Sequence, residues 1–357
     1  YIFRGYTLLN NLFFPSNKKL ASVMLYVTDR CNCRCRHCYI WQKQPKTDMP
    51  VQIIRGIVEN KVISKHTKIG LEGGEFVLHP EYLGILKYFK ENHPNFDLLS
   101  NCVEADRLIN AVKCYTPQRL YVSLDGEASV HHDMRRSLGL YDKVLYVIRA
   151  LKDTVPLSVM FTLTPFNSMN DMIHVAELCK TNGVDLRIGI YNEMEYFETK
   201  ASAYGKNDVT SLDYEVADIP EAIREFGENY DFLLLYHHYR RKHVRLTCNS
   251  IRDSIVIYPN GDVPLCQQQQ IILGNLASEP LDNIMNKKST VVCHKQHWRC
   301  NGCWINFHRK YDIILYRNLE KIFPKKVIAR LAGDYSWTKS AFATYKNLCY
   351  NAQNIKK

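Results

Sequence analysis

The sequence predicts an α/β protein built on an open, partial (β/α)6 TIM-like barrel, and three observations carry that prediction. Six apolar, β-branched runs alternate with segments of helical periodicity through the first half of the chain. A dense thiol cluster, Cys31-Asn32-Cys33-Arg34-Cys35-Arg36-His37-Cys38, directly follows the first of those runs. A second cysteine group lies in a separate, turn-rich region beyond residue 245.

The strand-like runs are residues 23–27, 69–71, 96–99, 120–124, 157–163 and 186–190. Between them, residues 51–62, 82–92, 105–112, 141–153 and 172–181 have helical periodicity, and the last stops at Asn182-Gly183. Such alternation argues for parallel strands joined by helical crossovers. Six repeats are fewer than a closed eight-stranded barrel needs, so the barrel is open. Ligands of such sheets sit beyond the carboxyl ends of the strands. The thiol cluster occupies that end, which makes it a site rather than a clasp.

Beyond the sixth run the pattern loosens. Residues 192–218 are polar and 219–239 are helical and aromatic-rich, a connector. Cys248, Cys266, Cys293, Cys300 and Cys303 follow, and residues 254–263 predict a hairpin around the tight Asn260-Gly261 turn. Residues 311–357 read as helical, broken at Pro324. The implied division is an N-terminal extension (1–19), the barrel (20–195), the connector (196–244), a cysteine domain (245–310) and a C-terminal helical segment (311–357). Residues 313–331 interleave Leu, Ile and Phe with Arg and Lys, and residues 6–14 are rich in Leu and Phe between Arg4 and Lys18. They fit helices packed on the barrel flank, or helices lying on an anionic surface, which would mean peripheral membrane association.

Composition bounds the function. A chain of 357 residues can bury a substantial core. Subtracting 36 acids from 47 bases gives +11, which favours an anionic partner or surface. The bases are scattered with no aromatic-basic reading module, so no nucleic-acid partner is expected. No apolar run is long enough to span a bilayer, and the start does not read as a signal peptide. Thirteen cysteines, clustered in a chain of this length, point to metal and to a reducing compartment, the cytoplasm.

Cys31, Cys35 and Cys38 fit C-x3-C-x2-C after a strand, with Tyr39 and Trp41 following and Glu72-Gly73-Gly74-Glu75 ending the second strand. This combination resembles the radical S-adenosylmethionine (radical SAM) enzymes. The resemblance implies that the three thiolates hold a [4Fe–4S] cluster whose fourth iron is left for SAM. Reductive cleavage would then yield a 5′-deoxyadenosyl radical, with a flavodoxin or ferredoxin as reductant. Thiolates suit iron–sulfur clusters, and a three-ligand site leaves one exchangeable position. Cys33 falls outside the motif.

Further segments match in order. Gly73, Gly74 and Glu75 resemble the family's second-strand motif, with Phe76 in place of its proline; the glycines would let backbone approach a ligand. Ser100-Asn101 resembles the third-strand motif, with Cys102 where the family has glycine. Ser123 and Asp125 match the fourth strand, His132-Asp133 with Arg135 or Arg136 the loop after it, and Thr162, Thr164 and Asn167 the fifth-strand end. The SAM contacts implied are Tyr39, Gly73, Gly74, Glu75, Asn101, Ser123, Asp125, Arg136 and Asn167.

Cys248, twelve residues, Gly261, four residues and Cys266 resemble the opening of a SPASM/twitch accessory domain, with Cys300-Asn301-Gly302-Cys303 supplying the rest. The full SPASM pattern continues with two further cysteines. Here the first of those places holds Arg309. The resemblance therefore implies one auxiliary [4Fe–4S] cluster on Cys248, Cys266, Cys300 and Cys303, the shorter twitch form. Cys293 is an alternative ligand, and a four-thiol zinc ribbon is the competing reading.

Two clusters and SAM imply an oxidoreductase. Twitch relatives act on small molecules and full SPASM relatives mostly on peptides. Only thirty residues precede the first thiol, fewer than a leader-peptide domain needs. The expected substrate is thus a hydroxylated small molecule such as a sugar or cyclitol, phosphate- or lipid-linked, with a peptide as the alternative. Alcohol oxidation needs a base. Arg187, Glu193 and Glu195, on or just after the sixth strand, are the candidates.

Overall fold

The computed structural model describes residues 2–192, 194, 196, 219, 221–241, 243–248 and 250–333. In the first half, α1 (Ile2–Phe13) precedes β1 (Ser22–Thr28), α2 (Val51–Val58), β2 (Lys68–Gly73), α3 (Tyr82–Asn92), β3 (Phe96–Ser100) and α4 (Ala105–Cys114). Then come β4 (Arg119–Ser123), α5 (Ala128–Arg135), α6 (Leu140–Leu151), β5 (Leu157–Leu163), α7 (Met169–Asn182) and β6 (Asp185–Ile190). The second half holds α8 (Glu221–Arg224), α9 (Gly227–Arg240), α10 (Ser250–Asp253), β7 (Ser254–Ile257), β8 (Asp262–Cys266) and β9 (Gln269–Asn275). It ends with α11 (Leu281–Asn286), α12 (Lys288–His297), α13 (Asn306–Ile322) and α14 (Lys325–Ala332).

Seven strands form one parallel sheet in the order β6-β5-β4-β3-β2-β1-β7. The expected open, partial (β/α)6 TIM-like barrel is therefore present, with one strand more. Period-two alternation builds it. Val23, Leu25, Ile69, Leu71, Leu98, Val122, Val159 and Ile188 are fully or almost fully buried in the main core with the helices. The opposite set, including Lys68, Glu72, Asp97, Tyr121 and Arg187, faces a cavity on the concave side. A polar inner lining is unlike a packed barrel centre and leaves room for a ligand.

The extra strand corrects the hairpin expected over residues 254–263. The turn is there, with Gly261 at φ +85° and its N–H on the Tyr258 carbonyl. However, β7 pairs parallel with β1, Ser22 opposite Ser254, while β8 pairs antiparallel with β9. Position is fixed from outside the turn: Arg4 Nη2 reaches Asp253 at 2.8 Å and Ser254 Oγ at 3.1 Å. A local turn signal carries no information about that long-range pairing.

Within the connector, the described helix α9 is likewise part of the barrel. Buried along most of its length, α9 covers the β6 edge. There Asn229 accepts from the Ile188 N–H at 2.9 Å and donates to the Leu186 carbonyl at 2.8 Å. One side-chain amide thus closes an edge that would otherwise present unpaired groups. The C-terminal helices begin earlier than residue 311, because α13 starts at Asn306, whose amide donates to the Ile188 carbonyl inside the barrel.

Candidate active site

The segment after β1 is held from two sides. On one side, the Gly74 N–H donates to the Thr28 carbonyl at 2.8 Å and the Glu75 N–H to the Arg30 carbonyl at 2.7 Å. A Cβ on Gly73 would collide with Thr28 O, and one on Gly74 with Arg30 O. The two glycines thus let β2 approach the thiol loop, a more direct reason for them than approach to a ligand. On the other side, the end of α5 accepts: Arg34 N–H to the Arg135 carbonyl at 3.2 Å, and Arg36 N–H to the Met134 carbonyl at 2.9 Å. Helix ends leave such carbonyls free, and here the thiol loop takes them.

Cys31, Cys33, Cys35 and Cys38 line one cavity of about 260 Å³ at the carboxyl ends of the strands. Gly73, Gly74, Glu75, Asn101 and Ser123 line it too, as expected. Arg135 faces it, not Arg136, which corrects the expected residue. Arg135 is the last helical residue of α5, whereas Arg136 turns left-handed (φ 52°) and pairs outside with Asp133 at 3.0 Å. The Arg135 Nε lies 2.5 Å from Asp125 Oδ2, and its Nη1 lies 3.9 Å from Cys35 Sγ. Burial would raise the Asp125 carboxyl, but the Arg135 guanidinium and His131 hold it well below the usual range. Asp125 thus orients Arg135 and does not itself line the cavity.

Three other expected contacts are placed differently. Tyr39 stacks with Trp41 at 6.3 Å and is not among the cavity-lining residues. Asn167 ties strand ends together, donating to the Asp125 carbonyl at 3.0 Å and the Thr162 carbonyl at 2.9 Å. Arg187 lines the inner cavity instead, bound to Asp185 and Glu228, each at 2.9 Å, so it serves as a structural cation. Glu193 and Glu195 lie outside the described residues.

Glu75 accepts from Ser100 Oγ at 2.9 Å and the Asn101 N–H at 2.7 Å, yet burial raises its carboxyl to about 7. Asn101 Nδ2 lies 3.8 Å from Cys31 Sγ. Two nitrogen donors therefore reach the cysteine sulfurs, the kind of contact that tunes a thiolate-bound cluster. Among the described residues no group of three or more His, Cys, Asp or Glu side chains is arranged to hold a single metal ion. A cubane gives each thiolate its own iron, and the loop of soft donors fits it.

The second thiol set lies on segments that border this cavity. The Cys248 N–H donates to the Cys300 carbonyl at 2.8 Å. Burial pushes Cys303 up to about 11, with Cys266 and Cys300 adding to it; Cys266 is raised by burial and then by Cys300 and Cys293. Gln267, beside Cys266, donates to Tyr26 Oη, and Ile305, two residues beyond Cys303, lines the cavity. Arg309 donates to the carbonyls of Cys303 at 2.9 Å and Leu246 at 2.6 Å and to Asn301 Oδ1 at 2.6 Å.

Sequence reasoning missed Glu72 as a site residue, although it stands beside the glycine motif. Its side chain folds along the inner face of β2, and it lines both cavities. Burial, helped by the Asp97 carboxylate, raises it to about 7, and no hydrogen bond to its carboxylate is found among the described residues. Strand alternation could have found it, since Lys68, Gly70 and Glu72 share the inner face.

A half-barrel with a thiol loop at its mouth and a second thiol set beside it defines the class. The chain is a radical SAM protein with an auxiliary iron–sulfur domain: residues 25–179 match the radical SAM superfamily, and residues 248–304 the SPASM iron–sulfur cluster-binding domain. Its cofactors are SAM and iron–sulfur clusters. It is similar to pre-heme d1 synthase of Dinoroseobacter shibae, 25% identical over 52% of this chain and 48% of that one. It is also similar to GTP 3′,8-cyclase of a Sulfurovum species, 26% identical over 52% of this chain and 60% of that one. The alignments thus span about half to three-fifths of these curated relatives. Among solved structures, Streptococcus suis SuiB bound to precursor peptide SuiA covers 81% of this chain and 70% of its own, at 13% identity and TM-score 0.59. The AdoMet- and peptide-bound anSMEcpe structure covers 94% of this chain and 99% of its own, at 15% identity and TM-score 0.52. These last two speak to the fold alone.

Proposed function

We propose that this radical SAM enzyme oxidises a hydroxyl-bearing small molecule to a carbonyl compound, with Glu72 as the base. Cys31, Cys35 and Cys38 would hold the first cluster, and Cys248, Cys266, Cys300 and Cys303 the second. When bound, the cofactors supply a 5′-deoxyadenosyl radical that takes a hydrogen atom and a nearby one-electron acceptor, with a flavodoxin or ferredoxin as the external reductant.

The chain's own residues do the rest. Gly73, Gly74 and Glu75 close the wall beside the thiol loop, and Arg135 and Asn101 present N–H groups to the cysteine sulfurs. Glu72 carries the reading. Its carboxylate lies in the barrel with no hydrogen-bond partner among the described residues, and it titrates near neutrality. A hydroxyl delivered there would donate to Glu72 and pass it the proton, while its carbon loses hydrogen toward the mouth. Tyr26, opposite Glu72 across the β1–β2 register, joins that wall to Gln267 and so to the Cys266 loop.

The test is isotopic. Reconstituted enzyme is supplied with SAM and a panel of polyols carrying deuterium at their carbinol carbons, including glycerol, myo-inositol and glucosamine. Label should enter 5′-deoxyadenosine, with a ketone two mass units lighter than the unlabelled alcohol. If label is taken instead from the Cα or side chain of a deuterated peptide panel, peptide modification replaces this reading.

A further inference from the structure

The helix α1 is inside out. Its polar residues Arg4, Thr7 and Asn11 are buried, while Tyr6, Leu9, Leu12 and Phe13, with Phe14 just beyond, are 48–70% exposed. At this spacing the four helical residues form one stripe. The polar face sets the roll of the helix. Arg4 binds Asp253 and Ser254 and stacks on Tyr311 at 3.8 Å; Asn11 donates to the carbonyls of Lys19 at 2.8 Å and Arg252 at 2.6 Å. Rolling the apolar stripe inward would strand these buried polar groups. A contiguous apolar face of this kind calls for a partner.

Charge identifies that partner. A shallow cavity lined by Leu12, Pro15, Arg252, Lys295 and Trp298 joins the end of α1 to α12. Trp298 is 42% exposed, with the guanidinium groups of Arg252 and Arg299 over its ring at 5.4 and 5.5 Å. Residues 1–28 contain no Asp or Glu, and neither do residues 283–311, within which the exposed Lys295 and Arg299 stand beside Trp298. Two copies meeting through this face would oppose two basic rims. An exposed aliphatic-aromatic stripe beside an aromatic-basic rim instead matches the boundary of an anionic bilayer.

We propose that the α1–α12 face docks this protein on an anionic membrane surface. The stripe from Tyr6 to Phe14 enters the acyl boundary, Trp298 sits at headgroup level, and Arg252, Lys295 and Arg299 meet the lipid charge.

The purified full chain is sedimented with phosphatidylcholine vesicles, with or without phosphatidylglycerol. Binding should be at least tenfold stronger with the anionic lipid and should fall when salt rises from about 0.1 M to several-fold that, as screening requires. Phe13→Asp with Phe14→Asp should lose at least tenfold, and Lys295→Glu with Arg299→Glu should lose the preference for anionic lipid. Since all four side chains point outward, thermal midpoints should not change, and Tyr6→Ser with Leu9→Ser gives a second apolar variant. A wild-type chain that stays in the supernatant with anionic vesicles overturns the proposal. So does undiminished binding by the Phe13–Phe14 variant, or a dimer that this variant converts to monomer.

Discussion

The Arg309 guanidinium donates to the Cys303 carbonyl at 2.9 Å from the place where a fuller SPASM pattern would put another cysteine. Fully buried, it also holds Leu246 and Asn301, so one side chain spans the segments carrying Cys248, Cys300 and Cys303. What the domain lacks as a ligand it has gained as a latch. Arg309→Met should strand those carbonyls and leave Asp312 buried beside an apolar side chain, at a cost of about 3–5 kcal/mol. Iron analysis after reconstitution should read about four irons fewer than wild type. Full loading with an unchanged melting temperature would mean the latch is dispensable.

Legibility followed the range of each signal. The first six strands were readable because a short apolar, β-branched run between helical segments is a local signal, as at Ile69-Gly70-Leu71. The β7 pairing was not, because Asn260-Gly261 announces a turn and says nothing about Ser254 lying against Ser22. Choosing Arg136 over Arg135 failed for a geometric reason. Spacing along a loop is ambiguous by one residue, and only the helical end of α5 decides which arginine points inward. Glu72 shares the inner face with Lys68 and Gly70, a placement that the adjoining glycine motif does not mark.

Arg135 and Arg136 should therefore behave oppositely. Arg136→Met removes a half-exposed side chain and should stay within about 0.5 kcal/mol of wild type. Arg135→Met leaves Asp125 buried and unpaired, costing about 3–5 kcal/mol, and removes the donor near Cys35. Chemical denaturation gives the stability difference, and the midpoint potential of the first cluster should move only in the Arg135 variant. Equal potentials in both variants would contradict the assignment.

Cys102 holds a left-handed backbone, φ 67°, where glycine is the easy choice, and its side chain is fully buried. The conformation costs about 1–2 kcal/mol for a residue with a Cβ. Cys102→Gly should accordingly be at least as stable as Cys102→Ala, although it deletes more buried atoms. Denaturant midpoints compare the two variants directly; alanine clearly ahead of glycine would count against strain at this position.

Glu72 makes stability depend on pH without any cofactor. Its folded value, about 7, lies above its ordinary 4.5, so protonation favours the folded state. That contribution is full below about pH 4.5 and is lost as pH rises through 7. Glu72→Gln should raise apo-protein stability at pH 8 by about 3 kcal/mol and leave it unchanged near pH 4. In the loaded enzyme the same variant should lose about a hundredfold or more in turnover, and the wild-type rate should climb through pH 7 as the base deprotonates. A variant with an unaltered stability profile would remove Glu72 from consideration as the base.

Each of the two thiol sets should hold one four-iron cluster. Anaerobic reconstitution followed by iron, sulfide and zinc analysis tests it most directly. Wild type should bind about eight irons per chain. Changing Cys31, Cys35 and Cys38 to Ala should leave about four and abolish SAM cleavage, whereas changing Cys300 and Cys303 to Ala should leave about four and spare it. A wild-type chain with about four irons and one zinc would contradict the account.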